Sequence, residues 1–235
     1  MLNSKKFYDR VSGKIKLGDA GSVNIVFLGD SVTHGCFEGI GNPYTDHDRF
    51  ASYTMKFHKM IGVLFPSTVF NIINSGIGGE TASMAYRRFD RDVLAYHPDL
   101  VVISFGLNDH GDPDLYVKSL SAMFDKLNEL EIPCVFLTEH MMNTYSADDT
   151  VEKWKDYSRV TCELENNGFM EKLFNRGIAA AKERNIPVCD MYHKWRNLYS
   201  CGADITSLLC NRINHPRREM HDFIAYSLIS TLFFE

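Results

Sequence analysis

Short apolar runs alternate with amphipathic stretches along this chain of 235 residues. Five runs are rich in β-branched and aromatic residues and have the length of buried strands. They cover residues 23–28, 68–73, 100–105, 134–138 and 187–190. Between them, apolar residues recur at the three- and four-residue spacing of helices, over about 51–64, 81–93, 113–130, 150–166, 169–184 and 215–232. This alternation predicts a parallel sheet with helices on both faces.

Right-handed crossovers between such strands give a doubly wound α/β fold, a three-layer α/β/α sandwich with about five parallel strands. Three segments fall outside this framework. Residues 1–21 are polar and predict a surface segment with at most one short helix or edge strand, while 35–50, rich in Gly, Pro and Asp, predict a loop. Residues 192–214 predict an irregular excursion. No internal repeat divides the chain, so we expect a single domain over residues 1–235.

Composition narrows the possible partners. With 45% hydrophobic and 23% charged residues, the chain can build a well-packed core. The net charge of −5, with arginines clustered only in pairs, argues against a nucleic-acid partner. No apolar run approaches 18 residues, so neither a membrane span nor a membrane partner is expected. The N-terminal segment lacks the apolar stretch of a signal peptide, so a cytoplasmic location is the default expectation. The sequence does not indicate an oligomeric state.

The six cysteines form no CxxC pair. Their spacing therefore predicts no zinc site, and a cytosolic chain of this size needs no disulfides. Cys134 and Cys189 fall within predicted strands and are expected to be small core residues.

Candidate chemistry gathers where the first three predicted strands end. The first strand runs into Gly29-Asp30-Ser31, the second into a glycine-rich turn at 74–79, and the third into Gly106-Leu107-Asn108-Asp109. In a parallel sheet these ends meet at one rim. A serine hydroxyl needs a base to act as a nucleophile, and backbone N–H groups of a glycine turn or an asparagine amide can stabilise an oxyanion. Each signal alone also fits a simple turn or cap, but together they favour acyl transfer.

The base is less clear from position alone. Of nine histidines, five lie soon after a strand end or before the last helix: His34, His110, His140, His193 and His215. His215 is favoured because it lies in a loop before Pro216, where a proline suits the first turn of the last helix.

These motifs resemble, in order and spacing, the four blocks of the SGNH (GDSL) hydrolase family, and the resemblance extends from Val23 to the last helix. The blocks are similar to Ile25 to Ser31, Asn74 to Thr81, Gly106 to Asp109, and Asn214 to Pro216. The resemblance implies a flavodoxin-like α/β/α fold that needs neither a metal nor an organic cofactor.

The resemblance also assigns roles to individual residues. Ser31 is implied as the nucleophile and His215 as the general base. The oxyanion hole is implied to consist of the backbone N–H of Ser31, Gly79 and the side chain of Asn108.

One position departs from the family pattern. The family usually has an aspartate three residues before its histidine, and this chain has Arg212 there. An arginine cannot fix the histidine tautomer or stabilise the imidazolium, as a carboxylate does. A backbone carbonyl or Asn211 can orient Nδ1 in a Ser-His dyad, or Asp204 can reach in from the excursion. The third member of the triad stays unassigned on sequence grounds.

The leading functional interpretation is a serine ester hydrolase acting on a small-molecule ester with a small acyl group, in particular an O-acetyl group on a carbohydrate. The alternatives are a lysophospholipase or thioesterase of the same family, a catalytically silent carbohydrate-binding relative, and a flavodoxin-like module that binds a phosphate-bearing ligand. Residues 35–50 and 139–166 are expected to line the pocket. Four residues of these segments are candidates either for contact with the substrate or for the hydrophobic core: Met141, Met142, Tyr145 and Trp154.

Overall fold

The computed structural model describes residues 5–12, 22–39 and 44–234. Its main feature is a parallel sheet of five strands. The sheet strands are β1 (Val23–Gly29), β4 (Phe70–Gly76), β5 (Leu100–Ser104), β6 (Cys134–Leu137) and β7 (Val188–Cys189). Two further strands, β2 (Cys36–Glu38) and β3 (Thr45–His47), form a separate antiparallel pair.

The order of strands across the sheet is β4-β1-β5-β6-β7, with every pair parallel. Counted along the chain, this is the 2-1-3-4-5 order of flavodoxin-like folds. The register places Gly29 opposite Gly76 on one side and Ser104 on the other. The carboxyl ends of the first three sheet strands therefore meet at one rim, as predicted.

Helices cover both faces of this sheet. They are α1 (Lys5–Val11), α2 (Ser31–His34), α3 (Tyr53–Leu64), α4 (Ala82–Arg87), α5 (Phe89–Asp92), α6 (Pro113–Glu129), α7 (Lys155–Asn166), α8 (Phe169–Glu183), α9 (Met191–Ser200) and α10 (Arg218–Phe233). One layer pairs α3 with α10, and the other packs α4 on α6 and α6 on α8. The predicted α/β/α architecture is confirmed.

Helix α6 illustrates how the sequence sets an element. Asp112 caps its start by accepting a hydrogen bond from the Leu115 N–H at 3.0 Å, and Pro113 supplies a preset φ in the first turn. Helical spacing then buries Leu120, Met123, Phe124 and Leu127. Burying side chains of this size contributes roughly 1.5–3 kcal/mol each.

The structure differs from the sequence prediction in two connecting segments. Residues 35–50 were predicted as a loop, yet they contain the β2–β3 pair and a 3₁₀ turn, while 40–43 lie outside the described residues. The predicted excursion from 192 contains α9, because Asp190 caps it by accepting from the His193 N–H at 3.1 Å. That helix buries Met191, Tyr192 and Trp195, a stripe too short to show a clear period.

Helix boundaries also shift at two places. The predicted helix over 81–93 is interrupted at Arg88, which links α4 and α5. The last helix begins at Arg218 rather than at His215-Pro216, because Pro216 instead forms an isolated antiparallel bridge with Leu209. That bridge holds the loop before α10 in an extended form.

The N-terminal prediction is tested only in part. Residues 5–12 form α1, which buries Phe7 and Val11, whereas 1–4 and 13–21 lie outside the described residues. Cys134 and Cys189 are buried in their strands, as predicted. Among the helices of the described chain, none is both long and apolar enough to cross a bilayer.

The long segment that precedes α7 is anchored by a buried carboxyl group, Glu165. Its two oxygens accept hydrogen bonds from the Met142 N–H at 2.9 Å and the Tyr192 hydroxyl at 2.5 Å. Burial raises the pKa of Glu165 from 4.5 to about 7. The folded protein therefore keeps a proton on this group that the unfolded chain loses near pH 4.5.

A buried group of this kind makes stability depend on pH. Between about pH 4.5 and 7 the folded state binds one more proton at Glu165 than the unfolded state, so stability falls as pH rises, by about 1.4 kcal/mol per pH unit. Glu165→Gln keeps a donor and an acceptor without the charge, and we expect a correspondingly flatter pH dependence. Urea unfolding at pH 5, 6, 7 and 8 measures the free energy of unfolding of each protein, and Glu163→Gln, at an exposed position, is the control. Equal slopes for all three proteins would contradict the assignment.

Candidate active site

Ser31 lies immediately after β1, at the start of α2. The preceding residue, Asp30, caps this helix because its Oδ1 accepts a hydrogen bond from the Val32 N–H at 2.9 Å. A Cβ on Gly29 would come within 2.1 Å of Thr33 Oγ1, so the tight turn requires glycine there. The predicted strand–turn–serine arrangement is present, with the serine at the carboxyl rim of the sheet.

His215 faces this serine from the loop before α10. Its Nε2 lies 2.8 Å from Ser31 Oγ. The loop is held by Asn211, whose Oδ1 accepts hydrogen bonds from the backbone N–H groups of 213–215 at 2.9–3.0 Å. Of the five histidines that position left open, the structure therefore brings His215 to the serine.

A second histidine supports the same loop. His140 lies 2.9 Å, through Nε2, from the Asn214 carbonyl oxygen, directly before His215. Burial lowers the pKa of His140 to about 3, so the ring is neutral. Because a carbonyl only accepts, the Nε2 of this neutral ring carries the proton and donates it.

The carboxylate of the site comes from β2, not from the loop that carries the histidine. Glu38 Oε2 lies 2.6 Å from His215 Nδ1, and both side chains are largely buried. Burial opposes ionisation of Glu38, but the hydrogen bond and charge of His215 hold the pKa of that carboxyl below its ordinary value. Glu38 is thus a carboxylate that accepts the Nδ1 proton, which leaves Nε2 free to accept a proton from Ser31.

In the structure, neither of the side chains that sequence reasoning left open for the third position, Asn211 and Asp204, contacts the His215 imidazole. Arg212, in the left-handed region at φ 62°, pairs with Asp149 at 2.9 Å. Asp204 accepts a hydrogen bond from the Tyr145 hydroxyl at 2.9 Å. Asn211 acts on the backbone of the loop and not on the imidazole.

The two other predicted site residues, Gly79 and Asn108, lie beside the serine in the same cavity. Gly79 adopts φ +79°, a conformation that favours glycine. In the described part of the chain, the backbone N–H groups of Ser31 and Gly79 donate to no other protein group. Asn108 Nδ2 donates to Asp30 Oδ2 at 2.9 Å and to the Glu80 carbonyl at 3.1 Å, which fixes the amide next to the cavity.

A buried ion pair holds the glycine turn in place. The Arg88 guanidinium donates to Glu80 Oε2 through Nε at 2.8 Å and to the Ser75 carbonyl through Nη2 at 2.8 Å. Because Glu80 follows Gly79 directly and accepts from Asn108, this pair ties the turn to the amide. Sequence reasoning gave neither residue a role.

Three carboxyl groups lie beneath the site. Burial raises the pKa of Asp30, and it raises the pKa of Asp109 to about 7. Burial, and after it the charge of Asp30, raises the pKa of Glu139 well above its ordinary value, and Glu139 accepts from the Leu107 N–H at 2.7 Å. Asp109 accepts from the Ala82 N–H at 2.9 Å. These groups fix the backbone around Asn108.

The site opens into a cavity of about 350 Å³. Its walls come from the β2–β3 pair, residues 149–157 and residues 211–215. The first two lie in the segments predicted to line the pocket, whereas 211–215 was not predicted to do so. Trp154 is 46% exposed and forms part of the wall. Met141 and Met142 belong instead to the core, and Tyr145 lies outside this cavity.

A serine, a histidine and a carboxylate in hydrogen-bonded sequence at the rim of a flavodoxin-like sheet form the arrangement of a serine hydrolase. Residues 27–223 match the model of the GDSL-like lipase/acylhydrolase family, so the chain belongs to this family. The resemblance inferred from the four sequence blocks is confirmed.

Individual relatives are esterases of acetylated polysaccharides. An acetylxylan esterase of Geobacillus stearothermophilus is 29% identical over 94 residues, which span 36% of this chain and 39% of the relative. The solved structure of Axe2, an acetylxylan esterase from that organism, aligns with TM-score 0.69 at 20% identity, covering 92% of this chain and 96% of Axe2. A two-domain esterase active on acetylated mannans aligns with TM-score 0.65 at 20% identity, covering 90% of this chain and 48% of that one. At 20% identity, these two solved structures show that this chain shares their fold.

Proposed function

We propose that this protein is a serine ester hydrolase that removes small acyl groups, in particular O-acetyl groups from carbohydrates. The observation that carries the proposal is the line of short contacts from Ser31 Oγ to His215 Nε2, 2.8 Å, and from His215 Nδ1 to Glu38 Oε2, 2.6 Å. The arginine at position 212 had left a catalytically silent binding relative open as an alternative. Because Glu38 supplies the carboxylate that position 212 lacks, an active enzyme is favoured.

In the first half of the reaction, Ser31 Oγ attacks the ester carbonyl carbon while its proton moves to His215 Nε2. Glu38 holds the Nδ1 proton and stabilises the imidazolium that forms. When the tetrahedral intermediate collapses, the imidazolium gives its proton to the alcohol oxygen, which leaves. In the second half, His215 takes a proton from water, the resulting hydroxide attacks the acyl-enzyme, and Ser31 regains its proton as the carboxylic acid departs.

The oxyanion of each intermediate requires donors that are already in position. The backbone N–H groups of Ser31 and Gly79 suit this role because no other described protein group uses them. The Asn108 amide supplies a third donor. Its weaker bond, 3.1 Å to the Glu80 carbonyl, is the one that the oxyanion shares or replaces.

The cavity wall supports a carbohydrate as the alcohol part of the substrate. Trp154, with Lys153 Nζ 5.1 Å from its ring centroid, offers an aromatic face of the kind that stacks on the apolar side of a sugar ring. Asp149 and Arg212 line the same cavity and can bond hydroxyl groups. A lysophospholipid needs a long apolar channel, whereas the apolar and aromatic side chains of this wall, Cys36, Val151, Trp154, Tyr157 and Ile213, are interspersed with charged and amide side chains. The named substrates of the relatives, acetylated xylans and mannans, support the same choice.

A substrate panel tests this proposal. We expect kcat/KM for p-nitrophenyl acetate to be at least about tenfold higher than for the octanoate. A buried CH₂ adds about 0.8 kcal/mol of binding only where an apolar channel holds it, and the proposed site offers the longer acyl chain no such channel. Release of acetate from acetylated xylo- or manno-oligosaccharides is expected as well. Ser31→Ala is the control for both. A preference for octanoate, with no acetate released from the oligosaccharides, would contradict the substrate assignment while leaving the esterase intact.

A further inference from the structure

A group of side chains next to the catalytic cavity has no part in the proposed ester hydrolysis. His34 ends α2, and Cys36 opens β2 two residues later. His47 stands opposite Cys36 in the β2–β3 pair. One ligand atom from each residue, two imidazole nitrogens and a thiol sulfur, lies within 4.8 Å of the other two.

The group combines two buried ligand atoms with one exposed side chain. His34 Nδ1 is buried and finds no hydrogen-bond partner among the described residues, which is costly for a ring nitrogen. Cys36 is buried as a free thiol, whereas His47 is exposed and gives solvent a way in. The imidazole rings of His34 and His47 lie 4.8 Å apart between centroids.

The same group lies against the nucleophile. A Cβ placed on Gly78 would be 3.7 Å from Cys36 Sγ, 3.8 Å from Ser31 Cβ and 4.0 Å from His34 Nδ1. Cys36 and His47 also line the cavity that contains Ser31. Whatever binds the three donor atoms therefore contacts the wall of the catalytic cavity.

We propose that His34, Cys36 and His47 form a binding site for one divalent zinc ion, with the fourth position open to the cavity. Two imidazoles and a thiolate are a preferred ligand set for zinc, whose open sites take three protein ligands and a water. Tetrahedral coordination places such ligand atoms about 3.3–3.6 Å apart. The three ligand atoms lie within 4.8 Å of one another, so zinc binding draws them closer, and His47 is the exposed member of the group. The sequence prediction of no zinc site rested on the absence of a CxxC pair, and these three residues do not form one.

Charged side chains of both signs surround the group. The carboxylates of Glu38 and Asp30 lie near Cys36, and the charges of His47 and Arg49 act on His34. Zinc binding forms a Zn–S bond, breaks the S–H bond and releases one proton to solvent.

The test titrates zinc chloride into chelator-treated protein by calorimetry. We expect one equivalent to bind with a Kd of about 1 µM or below. His47→Gln, at an exposed position outside the core, and Cys36→Ser are each expected to weaken binding at least about tenfold. Cobalt(II) in place of zinc should give the charge-transfer absorption of a cobalt–thiolate bond, which Cys36→Ser abolishes.

Matched controls are Cys201→Ser and His58→Gln, which remove an exposed cysteine and a histidine on α3. They should bind zinc as the unaltered protein does. No binding at 100 µM zinc, or equal binding by the unaltered protein, His47→Gln and Cys36→Ser, would overturn the site. Because the measurement needs no substrate, it stands or falls independently of the proposed esterase activity, and Ser31→Ala should bind zinc equally well.

Discussion

Ser31→Ala is expected to lower kcat for p-nitrophenyl acetate by about 10⁵–10⁶-fold, the loss typical of removing the nucleophile of a serine hydrolase. The reason is that the Oγ held 2.8 Å from His215 Nε2 is the atom proposed to attack the carbonyl carbon. Alanine removes only that atom, and the turn that positions residue 31 depends on Gly29 and Asp30 instead.

The fold of this variant must be checked beside its kinetics. Its thermal unfolding should remain close to that of the unaltered protein, because the hydroxyl contacts the cavity and the imidazole but supports no other described element. An alanine variant that keeps more than a tenth of the turnover while folded would show that another group is the nucleophile.

Glu38→Gln is expected to lower kcat by about 10³–10⁴-fold. A glutamine amide can donate to His215 Nδ1, which favours the tautomer with the proton on Nε2, and that tautomer cannot take a proton from Ser31. The neutral amide also cannot stabilise the imidazolium. Initial rates with p-nitrophenyl acetate, measured in the presence of a chelator to keep the adjacent metal-ligand group empty, give this effect directly.

The matched control is Asp204→Asn, which changes the other carboxylate that the sequence made a candidate. Asp204 binds the Tyr145 hydroxyl and not the imidazole, so this variant should stay within about threefold of the unaltered rate, as for most surface changes. If Asp204→Asn were the damaged enzyme and Glu38→Gln the active one, the carboxylate assignment would be reversed.

Much of the fold follows from local patterns in the sequence. The strand from Val23 and helix α6 are bounded by glycine, proline and capping signals, and their apolar residues repeat at the period of the element they form. Helix α9 was not predicted because it buries only three residues and its start depends on the Asp190 cap. The β2–β3 pair was not predicted because its two strands have three residues each and one is fully exposed.

The candidate site was predictable to a different degree at each residue. Ser31, Gly79 and Asn108 follow strand ends, and strand order brings such ends together without any knowledge of side-chain packing. His215 was favoured over four other histidines by its position before Pro216, and the family resemblance then implied it as the base. Its contact with Ser31 joins residues 184 positions apart, and nothing local encodes it.

Glu38 was missed because the signal that identifies it is not local. It lies in a segment predicted to be a loop, 177 positions before the histidine it orients, and a single glutamate there looks like any surface residue. One signal was available: an arginine at position 212 removes the usual carboxylate, so another acidic residue had to reach the site. Only the fold of the β2–β3 pair selects Glu38 from the other acidic residues.

The most direct test of the central claim, that Ser31 is the activated nucleophile of this chain, is covalent labelling with a fluorophosphonate followed by peptide mass spectrometry. The reagent phosphonylates a serine only where a base withdraws the hydroxyl proton and the oxyanion is stabilised. We predict one adduct per chain, on the peptide containing Ser31, and much slower labelling of Glu38→Gln. An unlabelled protein, or an adduct at a different serine, would contradict the account.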